Sequence, residues 1–380
     1  HLFARREVDV AIGQVHRRTG ENTRLAPRGP FLGAQQFESE EIRHISTLRH
    51  GQGAVQHLPC LRKCAHLAAG SARTEAGNTW LMASADMDIQ MLTAGLIRLL
   101  DVEPAGEAGH FLGHRKPGGV GRVYGGQVVG QALAAAAKTV AEDRPVHSLH
   151  CYFMRPGSED YPIDYHVEAD MDGRAFSNRR IVARQQGKAI FNMIASFHRP
   201  ERGPAHQSDM PPVADPDGLK DLGDLIREFD LPAGPVLRWI AGSSSPVRFR
   251  PVGAIQSGIV VPNDREPQMC WMRVGGGDPL GLGQPMQRAM LGFISDMLLL
   301  ATAYRPHGLH IGSAGVTSAS IDHSVWFHDD VECGDWLLYV TDSPWAAHGR
   351  GFARGHFYAR DGRLVASVAQ EGLIRFRDSD

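Results

Sequence analysis

Three polar residues late in the chain stand out by their surroundings. Asp296 lies within Gly292-Phe293-Ile294-Ser295-Asp296-Met297-Leu298-Leu299-Leu300-Ala301, a stretch that is apolar nearly all round. An ionised carboxylate there costs several kcal/mol unless it is hydrogen-bonded or reaches a wet cleft. The residue therefore has a purpose, either structural, accepting from backbone amides, or functional. Gln370 closes a period-two apolar stripe formed by Leu364, Ala366 and Val368. A buried amide satisfied by backbone and an amide used in chemistry both fit that position. Ser320 opens the strand-like run Ser320-Ile321-Asp322-His323-Ser324-Val325-Trp326-Phe327-His328, where a hydroxyl on its own is ordinarily solvated or bonded to backbone. Asp322 and His323 suggest an acid-base dyad, but neighbours on a strand point to opposite faces and cannot readily bond each other.

Other chemical signatures are incomplete. His147 with His150, and His323 with His328, lack a third ligand at a standard spacing, so no metal site is expected. No Gly-x-Ser-x-Gly elbow occurs, which removes the usual support for a serine hydrolase. The glycine-rich turn from Gly118 to Gly126 lacks the Lys-Ser/Thr of a phosphate loop and the spacing of a dinucleotide fingerprint. It reads as a tight entry into a helix whose N-terminus could offer backbone amides to an oxyanion.

These residues sit in the second of two similar halves. Asp172-Gly173-Arg174-Ala175-Phe176 resembles His348-Gly349-Arg350-Gly351-Phe352, and Ala183 to Lys188 resembles Ala359 to Arg363. Aligning Gly187 with Gly362 places Ala195 opposite Gln370, so the first half carries a methyl group where the second carries an amide. In the first half a short helix from Met87, a strand from Phe111 to Arg115 and an Ala-rich helix from Gln127 to Val140 are predicted. Strand-like runs come next at His147–Met154, Ile163–Ala169, Phe176–Arg184 and Ala189–His198. The second half predicts strands at Arg248–Pro251 and Cys270–Val274, one helix from Pro285 to Tyr304 and a strand from Ser318 to Phe327. Strands at Trp336–Asp342, Gly351–Ala359 and Arg363–Phe376 complete it. A long helix wrapped by an antiparallel meander, doubled in one chain, is the α+β layout called a double hotdog. The expected division is a disordered or non-native extension over 1–86, a first hotdog over 87–203 with a degenerate site, a linker over 204–245 and a catalytic second hotdog over 246–380.

At 380 residues with net charge -2 and pI near 6.9, the chain has room for two cores and lacks the basic stripe of a nucleic-acid binder. No run of eighteen apolar residues exists, so no membrane span is expected. Five cysteines, Cys60, Cys64, Cys151, Cys270 and Cys333, fit reduced thiols in a cytoplasm better than a disulfide framework. Cys60 and Cys64 could be half a metal site, but no second pair completes it. The C-terminal Arg377-Asp378-Ser379-Asp380 is not a peroxisomal address.

From about Met87 onward the sequence resembles the acyl-CoA thioesterase II family of double-hotdog enzymes. The resemblance rests on Val123-Tyr124-Gly125-Gly126-Gln127-Val128-Val129-Gly130-Gln131-Ala132-Leu133, Phe153-Met154-Arg155-Pro156-Gly157, Ile321 to His328, and Gln370-Glu371-Gly372. It implies hydrolysis of medium- and long-chain acyl-CoA without a covalent intermediate or cofactor. The family's Asp, Thr or Ser, and Gln fall on Asp296, Ser320 and Gln370, with Asp296 as general base. Many members carry Thr where this chain has Ser320, which keeps the hydroxyl but loses a methyl that fixes its rotamer. The resemblance further implies an acyl-CoA partner and a homo-oligomer, a dimer or tetramer of double hotdogs. Two other readings remain: a hotdog enoyl-CoA hydratase, whose Asp is usually paired with a His on the central helix, and a catalytically silent acyl-CoA-binding protein.

Overall fold

The computed structural model describes residues 89–230, 235–242, 244–253, 267–309, 313 and 315–376. The extension over 1–86, with Cys60 and Cys64, lies outside the described residues. In chain order the elements are helix α1 (residues 89–100), strands β1 (Glu103–Pro104) and β2 (His110–Gly113), helix α2 (Gly125–Ala137), and strands β3 (Val146–Phe153), β4 (Ile163–Asp172), β5 (Phe176–Gln185) and β6 (Lys188–His198). Short helices α3 (Leu222–Glu228) and α4 (Pro235–Ile240) lead to β7 (Val247–Pro251), β8 (Gln268–Val274) and helix α5 (Gln284–Ser295). Strands β9 (Val316–Ser320), β10 (Asp322–Phe327), β11 (Leu337–Ala347), β12 (Arg350–Ala359) and β13 (Leu364–Phe376) complete the chain.

The strands form one antiparallel sheet in the order β1-β2-β4-β5-β6-β3-β10-β13-β12-β11-β8-β7, with β9 added alongside β13. Read outward from the β3·β10 seam, β3-β6-β5-β4 on one side matches β10-β13-β12-β11 on the other, which is the duplication expressed as topology. The seam runs from Asp322 opposite Tyr152 to Trp326 opposite Ser148, so neither half presents an open edge there. One hairpin turn in each half takes the same geometry: Gln186-Gly187 between β5 and β6 and His348-Gly349 between β11 and β12 both have two successive positive φ values, 49° and 73°, and 53° and 71°. Two left-handed residues make the tight hairpin whose twist suits paired strands.

Helix α2 is buried on almost every side, which explains its run of Ala, Val and Gly. It packs against α5. Gly130 permits that approach, since a Cβ there would lie 2.9 Å from the Ala289 carbonyl oxygen and 2.8 Å from Leu100. The two helices, the inner faces of both half-sheets and α1 share one apolar core. This is the double hotdog.

Two expected elements differ. The helix predicted from Pro285 to Tyr304 ends at Ser295; Leu298 turns left-handed at φ 65°, and the chain resumes as a 3₁₀ turn at Leu300–Ala303. The strand predicted from Ser318 to Phe327 is two strands parted at Ile321, whose N–H bonds the Glu371 carbonyl while its own carbonyl accepts from Phe153 N–H, each at 2.9 Å.

The segment expected to be a linker is bound along the second half. Met210, Val213 and Leu219 cover a small second core of Trp271, Trp336, Leu338 and Tyr358. Arg360 grips Asp215 and Asp217 at 2.8 and 2.7 Å, Arg250 donates to Asp221 at 3.0 Å, and the Trp271 indole donates to the Ala214 carbonyl at 3.0 Å.

Candidate active site

The early end of α5 changes the setting of Asp296. It is the residue that caps the helix C-terminus, still right-handed at φ −78° and ψ −13°, rather than a residue in mid-helix. A carboxylate at a helix C-terminus faces the negative end of the helix dipole, so something must offset that. The offset comes from the first half: Gly125 opens α2, and a Cβ built on it would lie 2.7 Å from Asp296 Oδ2 and 3.1 Å from the Phe153 ring. The positive end of α2 thus meets the carboxylate, and only a glycine leaves the room.

The second contribution is Gln370. Its strand places it on the inner face, fully buried, opposite Ala353 of β12. Its amide nitrogen donates to Asp296 Oδ1 at 2.6 Å and to Ser320 Oγ at 3.1 Å. Ser320 ends β9 directly opposite Gly372 on β13, which brings its hydroxyl level with Gln370. Because Ser320 Oγ accepts from the amide, its own O–H remains to donate elsewhere. Asp296 and Ser320 are both half-buried, among neighbours that are largely apolar. The Gln370 carbonyl oxygen is buried without a hydrogen-bond partner among the described residues.

Hydroxyls hold the last turn of α5. Tyr124, the residue before α2, donates to the Phe293 carbonyl at 3.0 Å, and Tyr339 of β11 donates to the Ser295 carbonyl at 2.9 Å. Burial, reinforced by the Asp296 carboxylate, pushes both phenols well above the usual tyrosine range, so they stay protonated donors. Ser295 Oγ bonds the Gly292 carbonyl at 3.0 Å and also meets His323 Nε2 at 2.8 Å.

Asp322 and His323 do not pair with each other. The Asp322 carboxylate accepts the Glu371 N–H at 2.7 Å and so fixes the break between β9 and β10, while burial raises its pKa. His323 turns inward to Ser295. Asp296, Ser320 and Gln370 are therefore brought together, and the two runner-up residues are separated. Tyr339 and the pairing of Ser295 with His323 add to what the sequence singled out; Tyr124, Gly125 and Phe153 lie in the segments that carry the family resemblance, and in the sequence His323 stands out only as a partner for Asp322 or His328.

What the arrangement can do is hold one carboxylate oxygen by an amide while presenting the other, Oδ2, toward a helix N-terminus. A carboxylate, a group that can take a proton, thus lies beside a helix terminus that favours negative charge.

Comparison with known proteins gives the family. A family model described as acyl-CoA thioesterase matches residues 261–373, and one described as the acyl-CoA thioesterase N-terminal domain matches residues 114–198. Acyl-CoA thioesterase 2 of Haemophilus influenzae is 36% identical over 285 residues, covering 74% of this chain and 98% of its own. The chain belongs to the acyl-CoA thioesterase II family. Acyl-coenzyme A thioesterase 8 of Homo sapiens is 39% identical over 269 residues, covering 67% of this chain and 81% of that protein. The crystal structure of an acyl-CoA thioesterase II, TesB2, from Mycobacterium marinum superposes with a TM-score of 0.61 at 33% identity, covering 74% of this chain and 99% of that one. Within this thioesterase-family chain, Asp296, Ser320 and Gln370 fall in the first matched segment and Gly125 and Phe153 in the second. Both halves build the one site.

Proposed function

We propose that the chain hydrolyses acyl-CoA thioesters to free fatty acid and CoA by direct attack of water. The observation that carries the reading is the Gln370 amide bridging Asp296 and Ser320 at 2.6 and 3.1 Å, opposite the first turn of α2. Asp296 Oδ2 takes a proton from water as its oxygen attacks the thioester carbonyl. Ser320, whose hydrogen is not spent on Gln370, donates to the water or to the carbonyl. Negative charge on the former carbonyl oxygen is met by backbone N–H groups at Gly125 and Gly126, where the helix dipole adds to the hydrogen bonds. The tetrahedral intermediate then collapses, the C–S bond breaks, and the proton held by Asp296 passes to the CoA thiolate. General-base help supplies about 10²- to 10⁴-fold and each oxyanion donor about 10²- to 10³-fold.

The acyl chain lies along the apolar flank of α5 and the turn that succeeds it. The first half, with Ala195 where the second has Gln370, contributes its helix terminus rather than a second base. Three buried free thiols, Cys151, Cys270 and Cys333, support a reducing, cytoplasmic setting, and no helix among the described residues is long and apolar enough to cross a membrane. Assembly as a dimer or tetramer of double hotdogs completes the reading. The test is release of free thiol from acyl-CoAs of graded chain length, with crotonyl-CoA hydration measured beside it. Thiol release without hydration is expected. Hydration alone would make the chain a hydratase, and binding with neither reaction a silent acyl-CoA protein.

A further inference from the structure

His323 is a buried titratable group that the proposed chemistry does not use. It lies on β10 with none of its surface exposed, and its ring meets Ser295 Oγ at 2.8 Å through Nε2. Ser295 Oγ also lies 3.0 Å from the Gly292 carbonyl oxygen, which can only accept. The hydroxyl hydrogen therefore goes to Gly292, and the serine oxygen must accept from His323. That fixes the tautomer: the proton is on Nε2, and Nδ1 carries a bare lone pair, buried and without a partner among the described residues. Burial holds the ring below the usual histidine range, opposed by the neighbouring Asp296 carboxylate, so it remains neutral. A neutral ring can donate from Nε2 without placing a second charge in the core.

This hydrogen bond sits at the point where α5 stops. The helix ends at Ser295, Asp296 is its cap, and Leu298 has already turned to φ 65°. The backbone that carries Asp296 thus lacks the continuing ladder of i to i−4 bonds that would hold a mid-helix residue. Beyond one backbone bond, from Met297 N–H to the Ile294 carbonyl at 3.0 Å, the last turn is held by side chains: Tyr339 donates to the Ser295 carbonyl and His323 to the Ser295 hydroxyl oxygen. The residue immediately before Asp296 is gripped at both its backbone and its hydroxyl.

We propose that His323, acting through Ser295, is a positioning residue for Asp296 that keeps its Oδ2 aimed at the first turn of α2. The proposal rests on the reading of Asp296 as general base. His323 touches neither water nor substrate in this role. Its loss should lower kcat and leave KM alone, because a small misplacement of a base costs rate rather than binding. The expected size is about 10- to 100-fold.

The experiment uses the full chain and thiol release from an acyl-CoA, with folding checked by circular dichroism. Four variants are compared: His323→Leu, His323→Gln, Ser295→Ala and the double variant His323→Leu/Ser295→Ala. His323→Gln keeps an N–H donor at about the reach of Nε2, so it should recover most of kcat. Ser295→Ala should lose as much as His323→Leu, and the double variant should lose no more than either. In an Asp296→Asn background, His323→Leu should change the residual rate by less than about two-fold, since its effect runs through the base. Should His323→Leu fail to fold, Ser295→Ala and His323→Gln still decide the matter. Folded His323→Leu or Ser295→Ala with the wild-type kcat would overturn the positioning role, as would additive losses in the double variant. Failure of the underlying reading shows separately, as wild-type protein that releases no thiol or Asp296→Asn that keeps full activity, and either result would also remove this assignment.

Discussion

Replacing Gln370 by alanine copies into the second half what the first half already has at Ala195. Gln370 spends both amide hydrogens on protein, one on Asp296 Oδ1 at 2.6 Å and one on Ser320 Oγ at 3.1 Å. The first is a hydrogen bond to a charged acceptor, worth about 1.5 to 3 kcal/mol, and it orients the carboxylate. At about 1.4 kcal/mol per factor of ten, its loss corresponds to roughly 10- to 150-fold in kcat. Because the amide is occupied by protein groups, it contributes little to holding substrate, and KM should stay within about two-fold. Stability should suffer little by comparison. The cavity left behind is offset in part by removal of a buried carbonyl oxygen that has no partner among the described residues. The assay is steady-state thiol release across an acyl-CoA concentration series, with thermal melting of the same preparation. A folded Gln370→Ala protein whose kcat matches wild type would refute the reasoning, and a raised KM with unchanged kcat would reassign Gln370 to substrate binding.

Gly125→Ala would put a methyl group 2.7 Å from Asp296 Oδ2 and 3.1 Å from the Phe153 ring. Overpacking of this kind costs about 1 to 3 kcal/mol, and displacement of the base should cost about 10- to 100-fold in kcat, both read from melting and thiol release. Cys151, Cys270 and Cys333 are buried, and burial pushes all three thiols upward, that of Cys270 to about 12. At pH 8 they stay protonated and shielded, so at most two of the five cysteines should react with Ellman's reagent before denaturant and all five after it. The depressed folded-state pKa of His323 means that the unfolded chain takes up a proton below about pH 6.5 while the folded chain does not, so stability falls as pH drops through that range. His323→Gln should lessen that fall by up to about 1.4 kcal/mol per pH unit in urea titrations at pH 5 to 7. His147, His166, His328 and His356 shift in the same direction and retain part of the slope.

The repeat, the hairpins and the places of the strands along the chain were legible because their signals are local: two-residue turns with glycine, period-two alternation and an Ala-rich helix; the pairing of β3 with β6 and β10, which joins strands distant in sequence, was not. The end of α5 was not. Met297 to Ala301 continue the apolar pattern of the helix, and the residue that turns the chain is Leu298, which carries no glycine or proline signal. The break at Ile321 was hidden likewise, since it depends on Asp322 capturing the Glu371 N–H rather than on a turn residue. Asp296 and Gln370 drew notice as polar groups in apolar runs, yet their association with Ser320 came from the family resemblance. Nothing local announces the contact between Gly125 and Asp296, which joins positions far apart in sequence. The Pro- and Gly-rich segment before β7 looked like a tether because the tryptophans it covers, Trp271 and Trp336, lie elsewhere in the chain.

The most direct test of Asp296 as the base is Asp296→Asn, which keeps the shape of the side chain and removes its capacity to take a proton. With a melting temperature close to wild type, kcat for thiol release should fall by about 10²- to 10⁴-fold. A folded Asp296→Asn protein that hydrolyses acyl-CoA at the wild-type rate would contradict the account.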